Sequence, residues 1–116
     1  MKKTAAARKP RDTALDLVQR IEEEGAFVDR VLAGSDMNVF DDRDRRFIRE
    51  MVIGVERHRL RLDRIIGAFY NRPFGDLDPL VRDILRLGLY QMIHMDSVPA
   101  WAAVNESVDI AVSRRG

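Results

Sequence analysis

The stretch from residue 77 to residue 110 (LDPLVRDILRLGLYQMIHMDSVPAWAAVNESVDI) constrains the fold of this chain more than any other. Asp78 can cap a helix that Pro79 opens, because proline at the first helical position gives up only an N–H that has no partner there. Val81, Ile84, Leu85, Gly88, Leu89, Met92 and Ile93 then recur at helical spacing as one apolar stripe, and Leu80 and Leu87 widen it, so the helix is expected to be covered on more than one side. Gly88 should cost about 1 kcal/mol relative to alanine, which makes sense where another helix crosses closely. The helix is expected to stop before Ser97-Val98-Pro99. A second helix opened by Pro99 would carry Ala100, Ala103, Val104, Ser107, Val108 and Ala111 on one face, making a core hairpin of two helices.

The preceding segments read as further helices. Asp12 or Thr13 can cap the first, with Thr13 and Asp16 spaced as a capping box. Ala14, Leu17, Val18 and Ile21 form its stripe, and Gly25 is placed to end it in the left-handed conformation. A short second helix turns Phe27, Val28, Val31 and Leu32 inward and ends at Gly34; residues 35–40 are a loop. Asp41 or Asp42 caps a third helix with Phe47, Ile48, Met51, Val52 and Val55 as its stripe. Residues 56–59 place Glu, Arg, His and Arg where that stripe should continue, so a kink or break is expected there. A fourth helix runs on Leu62, Ile65, Ile66 and Phe69 to Asn71-Arg72-Pro73. No segment sustains a period of two with β-branched enrichment, so the expected fold class is all-α.

At 116 residues the chain is expected to form one domain. No apolar run approaches the roughly 18 residues of a membrane-spanning helix, and the start (MKKTAAARKPRD) lacks the apolar core of a signal peptide, so no membrane association is expected and the cytoplasm is the expected compartment. With no cysteine there is no disulfide, thiolate metal site or thiol nucleophile. Glycine-rich phosphate loops, nucleotide-binding fingerprints and nucleophile elbows are missing, so neither a catalytic residue nor a cofactor is assigned. His58 and His94 stand far apart without a partner at ligand spacing; they read as a surface and a helix-end histidine, and no metal site is assigned. Asp41, Asp42 and Asp44 could serve acid–base chemistry, but capping accounts for them more simply. Trp101 could stack on a base or pack over the hairpin.

Charge is segregated along the chain. Residues 1–11 hold Lys2, Lys3, Arg8, Lys9 and Arg11 and no acid, whereas residues 21–42 hold seven acids against Arg30. All cations except Lys2, Lys3 and Lys9 are arginine, the side chain suited to bidentate phosphate contact. Residues 1–11 are therefore read as a flexible basic arm, interrupted by Pro10, ahead of a helical domain at 12–116. Cations just before a helix N-terminus can meet phosphates through side chains and helix dipole together. Arg57, Arg61 and Arg64, at i, i+4 and i+7, would stripe a helical face as a second patch. For these and for Arg45 and Arg49 the alternative is internal ion pairing, such as Arg45 with Asp41 or Asp42.

The residues Ala14-Leu15 to Ile21, Asp44-Arg45 with Phe47-Ile48, Gly54 followed by Leu62-Asp63, and above all VRDILRLGLYQ at 81–91, with Pro99 and Ala102-Ala103-Val104-Asn105-Glu106 behind it, together resemble the NusB-like RNA-binding family. Within it they are most similar to the N-terminal domain of small-subunit rRNA cytosine-5 methyltransferases. The resemblance implies an all-helical bundle of two small subdomains that binds RNA, with rRNA the expected partner, partly through a basic N-terminal segment that maps onto Arg8, Lys9 and Arg11. It implies a non-catalytic role for this chain, since cytosine C5 methylation in such enzymes uses cysteine thiols and a methyl-donor domain. A methyltransferase domain or, in the antitermination type, a ribosomal protein would be the protein partner. The family's last helix is expected to be lacking after Ser113-Arg114-Arg115-Gly116, and self-association or capture of another helix by the open hairpin groove is expected in consequence.

Overall fold

A computed structural model describes residues 9–95 and residue 110. The described residues are helical throughout, with short connections and no strand. The chain divides into two compact units, Met1–Ile53 and Gly54–Gly116. No helix among the described residues is long and apolar enough to cross a membrane.

In the first unit, α1 spans Pro10–Glu24 and α2 Val28–Gly34. Pro10 takes the first turn of α1, and the carbonyl of Lys9 accepts from the backbone N–H groups of Asp12 (3.1 Å) and Thr13 (3.2 Å). The expected caps Asp12 and Thr13 therefore lie inside the helix. The ring of Pro10 fixes φ near its helical value, so the residue read as interrupting the arm starts the helix instead. Thr13 is buried, and its Oγ1 finds no hydrogen-bond partner. Gly25 ends α1 at φ 63°, in the left-handed region expected of it.

Ala14, Leu15, Leu17, Val18 and Ile21 of α1 are buried, as are Val31 and Leu32 of α2, and the two helices pack on each other. Seven residues are too few for a stable isolated helix. Burial of Val31 and Leu32 contributes about 3–6 kcal/mol toward holding α2 in place. Phe27, expected inward, is instead 77% exposed ahead of the helix.

The following loop buries Met37 and Phe40 and is fastened by Arg45. Its Nη1 donates to the carbonyls of Phe40 (2.6 Å) and Met37 (3.3 Å), and its Nη2 bonds the Asp42 carboxylate. That bond, followed by the arginine's charge, holds the Asp42 carboxyl below its usual value. Helix α3, Asp42–Arg57, is capped by Asp41, whose Oδ1 accepts from the Asp44 N–H at 2.8 Å. Asp41 thus serves capping and Asp42 ion pairing. Ile48, Met51, Val52 and Val55 are fully buried, as their spacing predicts. The boundary between the units falls within α3, after Ile53.

In the second unit, α3 ends at Arg57, His58 breaks the helix, and α4 runs Arg59–Phe69. A single 3-10 turn, Phe74–Asp76, leads to α5, Pro79–His94, where Asp78 caps as expected by accepting from the Leu80 N–H at 2.8 Å. Helices α4 and α5 pack together, with Leu62, Ile66, Ile84 and Leu87 buried. The buried face of α5 differs from the expected stripe: it includes Asp83, Arg86, Tyr90 and Gln91, while Leu85, Met92 and Ile93 are exposed. Phe69 likewise lies outside, 88% exposed. The physical reason for the rotation is a polar cluster that periodicity counts as surface, described next. The second half of the proposed hairpin lies outside the described residues, apart from Ile110, which is buried and helical.

Candidate nucleic-acid interface

Arg86 stands at the centre of the α4–α5 packing. Its Nε and Nη2 grip both oxygens of Asp63 on α4 at 2.7 and 2.8 Å, and its Nη1 reaches Asp83 Oδ1 at 3.1 Å. Arg82 Nε approaches the same Asp83 oxygen at 3.2 Å. The two-pronged geometry matches a guanidinium to a carboxylate and fixes the register of the two helices. Gln91, also buried, donates back to the Leu87 carbonyl at 2.9 Å. These are structural bonds, and they decide which charges remain for a partner.

Asp63 is the sole acid in α4 and is taken up by Arg86; Glu56, at the end of α3, is 3.9 Å from Arg59. Arg57, Arg61, Arg64 and Arg72 are exposed. Arg61 and Arg64 lie three residues apart on the outer side of α4, opposite Leu62 and Ile66. The break at His58 separates Arg57 from them, so the expected stripe of three on one continuous helix is a pair on α4 plus a residue closing α3.

Of the arm cations, Lys2, Lys3 and Arg8 lie outside the described residues. Lys9 is exposed beside the first turn of α1. Arg11 lies within that turn, with its guanidinium 5.1 Å from the centre of the Phe47 ring, a cation–π contact between α1 and α3. Arg11 therefore has a role inside the fold in addition to the one its sequence position implies.

The histidines, far apart in sequence, meet in space. His58 and His94 stack with ring centres 4.4 Å apart and planes at 18°, and Tyr90 stacks on His94 at 5.0 Å. Near-parallel rings point their in-plane nitrogen lone pairs alongside each other and not at a common metal, and the described residues hold no group of three metal-ligating side chains. His94 Nε2 is buried without a partner, and its pKa is lowered first by burial, then by the charges of His58 and Arg61. Tyr90 in turn fills the space over Gly54: a Cβ at that glycine would lie 2.0 Å from the Tyr90 Cζ. Gly54 is thus a glycine at a close approach. Sequence reasoning missed this stack because its members are 32 and 36 residues apart from His58, and no local pattern links them.

Comparison with known proteins matches this arrangement to a family. Over 115 residues the chain is 34% identical to a Bacillus subtilis protein named probable ribosomal RNA small subunit methyltransferase B, covering 98% of this chain and 25% of that protein. A Synechocystis protein of the same name is 50% identical over 68 residues, 59% of this chain and 15% of its own length. The transcription antitermination protein NusB of Aeromonas hydrophila is 33% identical over 91 residues, 78% of this chain and 61% of its own. This chain therefore spans about a quarter or less of the methyltransferase relatives. The NusB family profile matches residues 8–116, and the chain belongs to the NusB family.

Proposed function

We propose that this chain is a non-catalytic RNA-binding module, associated with an rRNA cytosine-5 methyltransferase and directed at rRNA. The observation that carries the reading is the set of exposed arginines after Gly54, left over once Asp63 and Glu56 have been engaged by Arg86 and Arg59. Relatives named for ribosomal RNA methylation match most of the chain, which supports the same reading. Lys2, Lys3, Arg8 and Lys9 supply phosphate contacts ahead of α1, with Arg11 at its first turn. Arg57, Arg61 and Arg64 form the second patch. The site of action is the cytoplasm.

If four to six phosphates are neutralised, log K against log salt on single-stranded RNA should slope by about −3 to −4. Changing Lys2, Lys3, Arg8 and Lys9 to Gln should flatten that slope, while α1, which starts at Pro10, stays intact. An unchanged slope rejects the arm as an RNA contact.

A second reading, favoured by the relatives called transcription antitermination protein NusB, is an adaptor that binds a ribosomal protein as well as RNA. Ribosomal-protein binding in the absence of RNA, unaffected by the arm substitutions, selects it. Self-association through the hairpin groove belongs to the same proposal. A single-chain mass by sedimentation at high micromolar concentration counts against it.

A further inference from the structure

The outer side of α4 joins exposed cations to exposed apolar groups without an acid among them. Leu60, Arg61, Arg64 and Ala68 are exposed on the half of the helix opposite Leu62 and Ile66, and Phe69, which continues the Leu62–Ile66 stripe past its buried part, is exposed at the helix end. Phe69 closes the helix and is 88% exposed, more than any other large apolar side chain among the described residues. Burying a phenylalanine is worth about 1.5–3 kcal/mol, so the fold forgoes that stabilisation here. Arg72 follows in the exposed turn leading to Phe74.

We infer that Phe69 is a stacking platform for an unpaired base of single-stranded RNA, whose flanking phosphates are held by Arg61 and Arg64. The inference rests on the RNA-binding reading above and adds to it a specific residue and a ligand class. A phenyl ring has a π-face for any base, and stacking of this kind works beside cations that track the backbone. From Arg61 to Phe69 the helix rises about 12 Å, room for a few nucleotides lying along it. A protein surface is less well matched: an apolar docking patch at the centre of an interface is depleted of charge, whereas here Arg61 and Arg64 sit between Leu60 and Phe69.

The test uses the full chain, a fluorescein-labelled oligouridine of about 12 nucleotides, within the reach of known single-strand sites, and fluorescence anisotropy across a salt series. Phe69→Ala should weaken binding about 5- to 100-fold with the salt slope unchanged, since stacking releases no counterion. Phe69→Tyr should restore binding to within about twofold, because its ring presents the same stacking face. Arg61→Gln with Arg64→Gln should instead reduce the slope by about 1.4, at about 0.7 per phosphate. Phe69 is exposed, so the urea midpoint should not move in either variant, and loss of folding cannot imitate the result. RNA affinity unchanged in Phe69→Ala overturns the inference and leaves the RNA-binding reading standing. The same holds if that substitution abolishes self-association at unchanged RNA affinity, which would mark a protein surface. No RNA binding by the unsubstituted chain overturns both.

Discussion

Replacing Arg86 with Met removes the group that two carboxylates of the second unit share, while keeping a long side chain in the space it occupied. The Arg86 side chain is 4% exposed and that of Asp83 1%, so little water can take over the lost bonds at Asp83. Asp63 is 20% exposed and can recover part of its hydration. Breaking one side of a buried pair costs about 3–5 kcal/mol. The partial access at Asp63 and the contact of Arg82 with Asp83 argue for the lower end, about 3 kcal/mol. With a urea dependence of about 1.5 kcal/mol per molar, typical of a small unit, the midpoint should fall by about 2 M. Arg86→Lys keeps the charge but cannot supply both prongs, and should lose about 1–2 kcal/mol. A triple variant with Arg86→Met, Asp63→Leu and Asp83→Leu should recover most of the loss, because the cost lies in stranding buried charge more than in the absence of the pair. Urea titration followed by circular dichroism reads all three. A loss below about 1 kcal/mol in Arg86→Met would refute the argument, as would a triple variant no more stable than the single one.

Three further outcomes follow from the same structure. Gly54→Ala places a Cβ 2.0 Å from the Tyr90 ring, against about 1 kcal/mol gained in helix propensity; since the ring is buried and stacked on His94, a net loss of about 1–3 kcal/mol is expected, and pairing it with Tyr90→Leu should relieve that loss in a urea double-mutant cycle. Thr13→Val removes a buried hydroxyl that has no partner and should raise stability by about 1 kcal/mol, whereas a loss would show that the hydroxyl is bonded after all. The pKa of His94 is lowered in the folded chain, so the unfolded chain takes up this proton first as acid is added. Its contribution is complete above the ordinary value of about 6.5 and is lost as pH falls through 6.5 to the folded value; His94→Gln should make the urea midpoint less dependent on pH between about 7 and 5, and an unaltered pH profile would contradict this.

The elements that could be read from the sequence are those governed by neighbours in the chain. Asp78 and Pro79 start α5, Gly25 ends α1, and the polar run at 56–59 breaks α3 from α4, each through a backbone requirement met within a few residues. Pro10 was harder, because Asp12 and Thr13 imitate a cap one turn too late. What escaped was set by partners distant in sequence: Asp63 is 23 residues from Arg86, and His58 is 36 from His94. No period in α5 reveals that Asp83 and Arg86 face inward, since a polar residue becomes a core residue only when another helix brings the opposite charge to it.

The apolar misreadings have the reverse cause. Periodicity counts every Phe, Leu or Ile at helical spacing as core, but a helix end leaves its outermost residue beyond the reach of the packed face, as happens at Phe69 after Ile66. At such a position the fold does not determine the side chain, and an aspartate or lysine would serve stability equally well. A large aromatic ring lies there beside arginines whose nearest acids on α4 and α3 are already engaged. Stacking on an unpaired base accounts for the ring and the arginines together, and core packing accounts for neither.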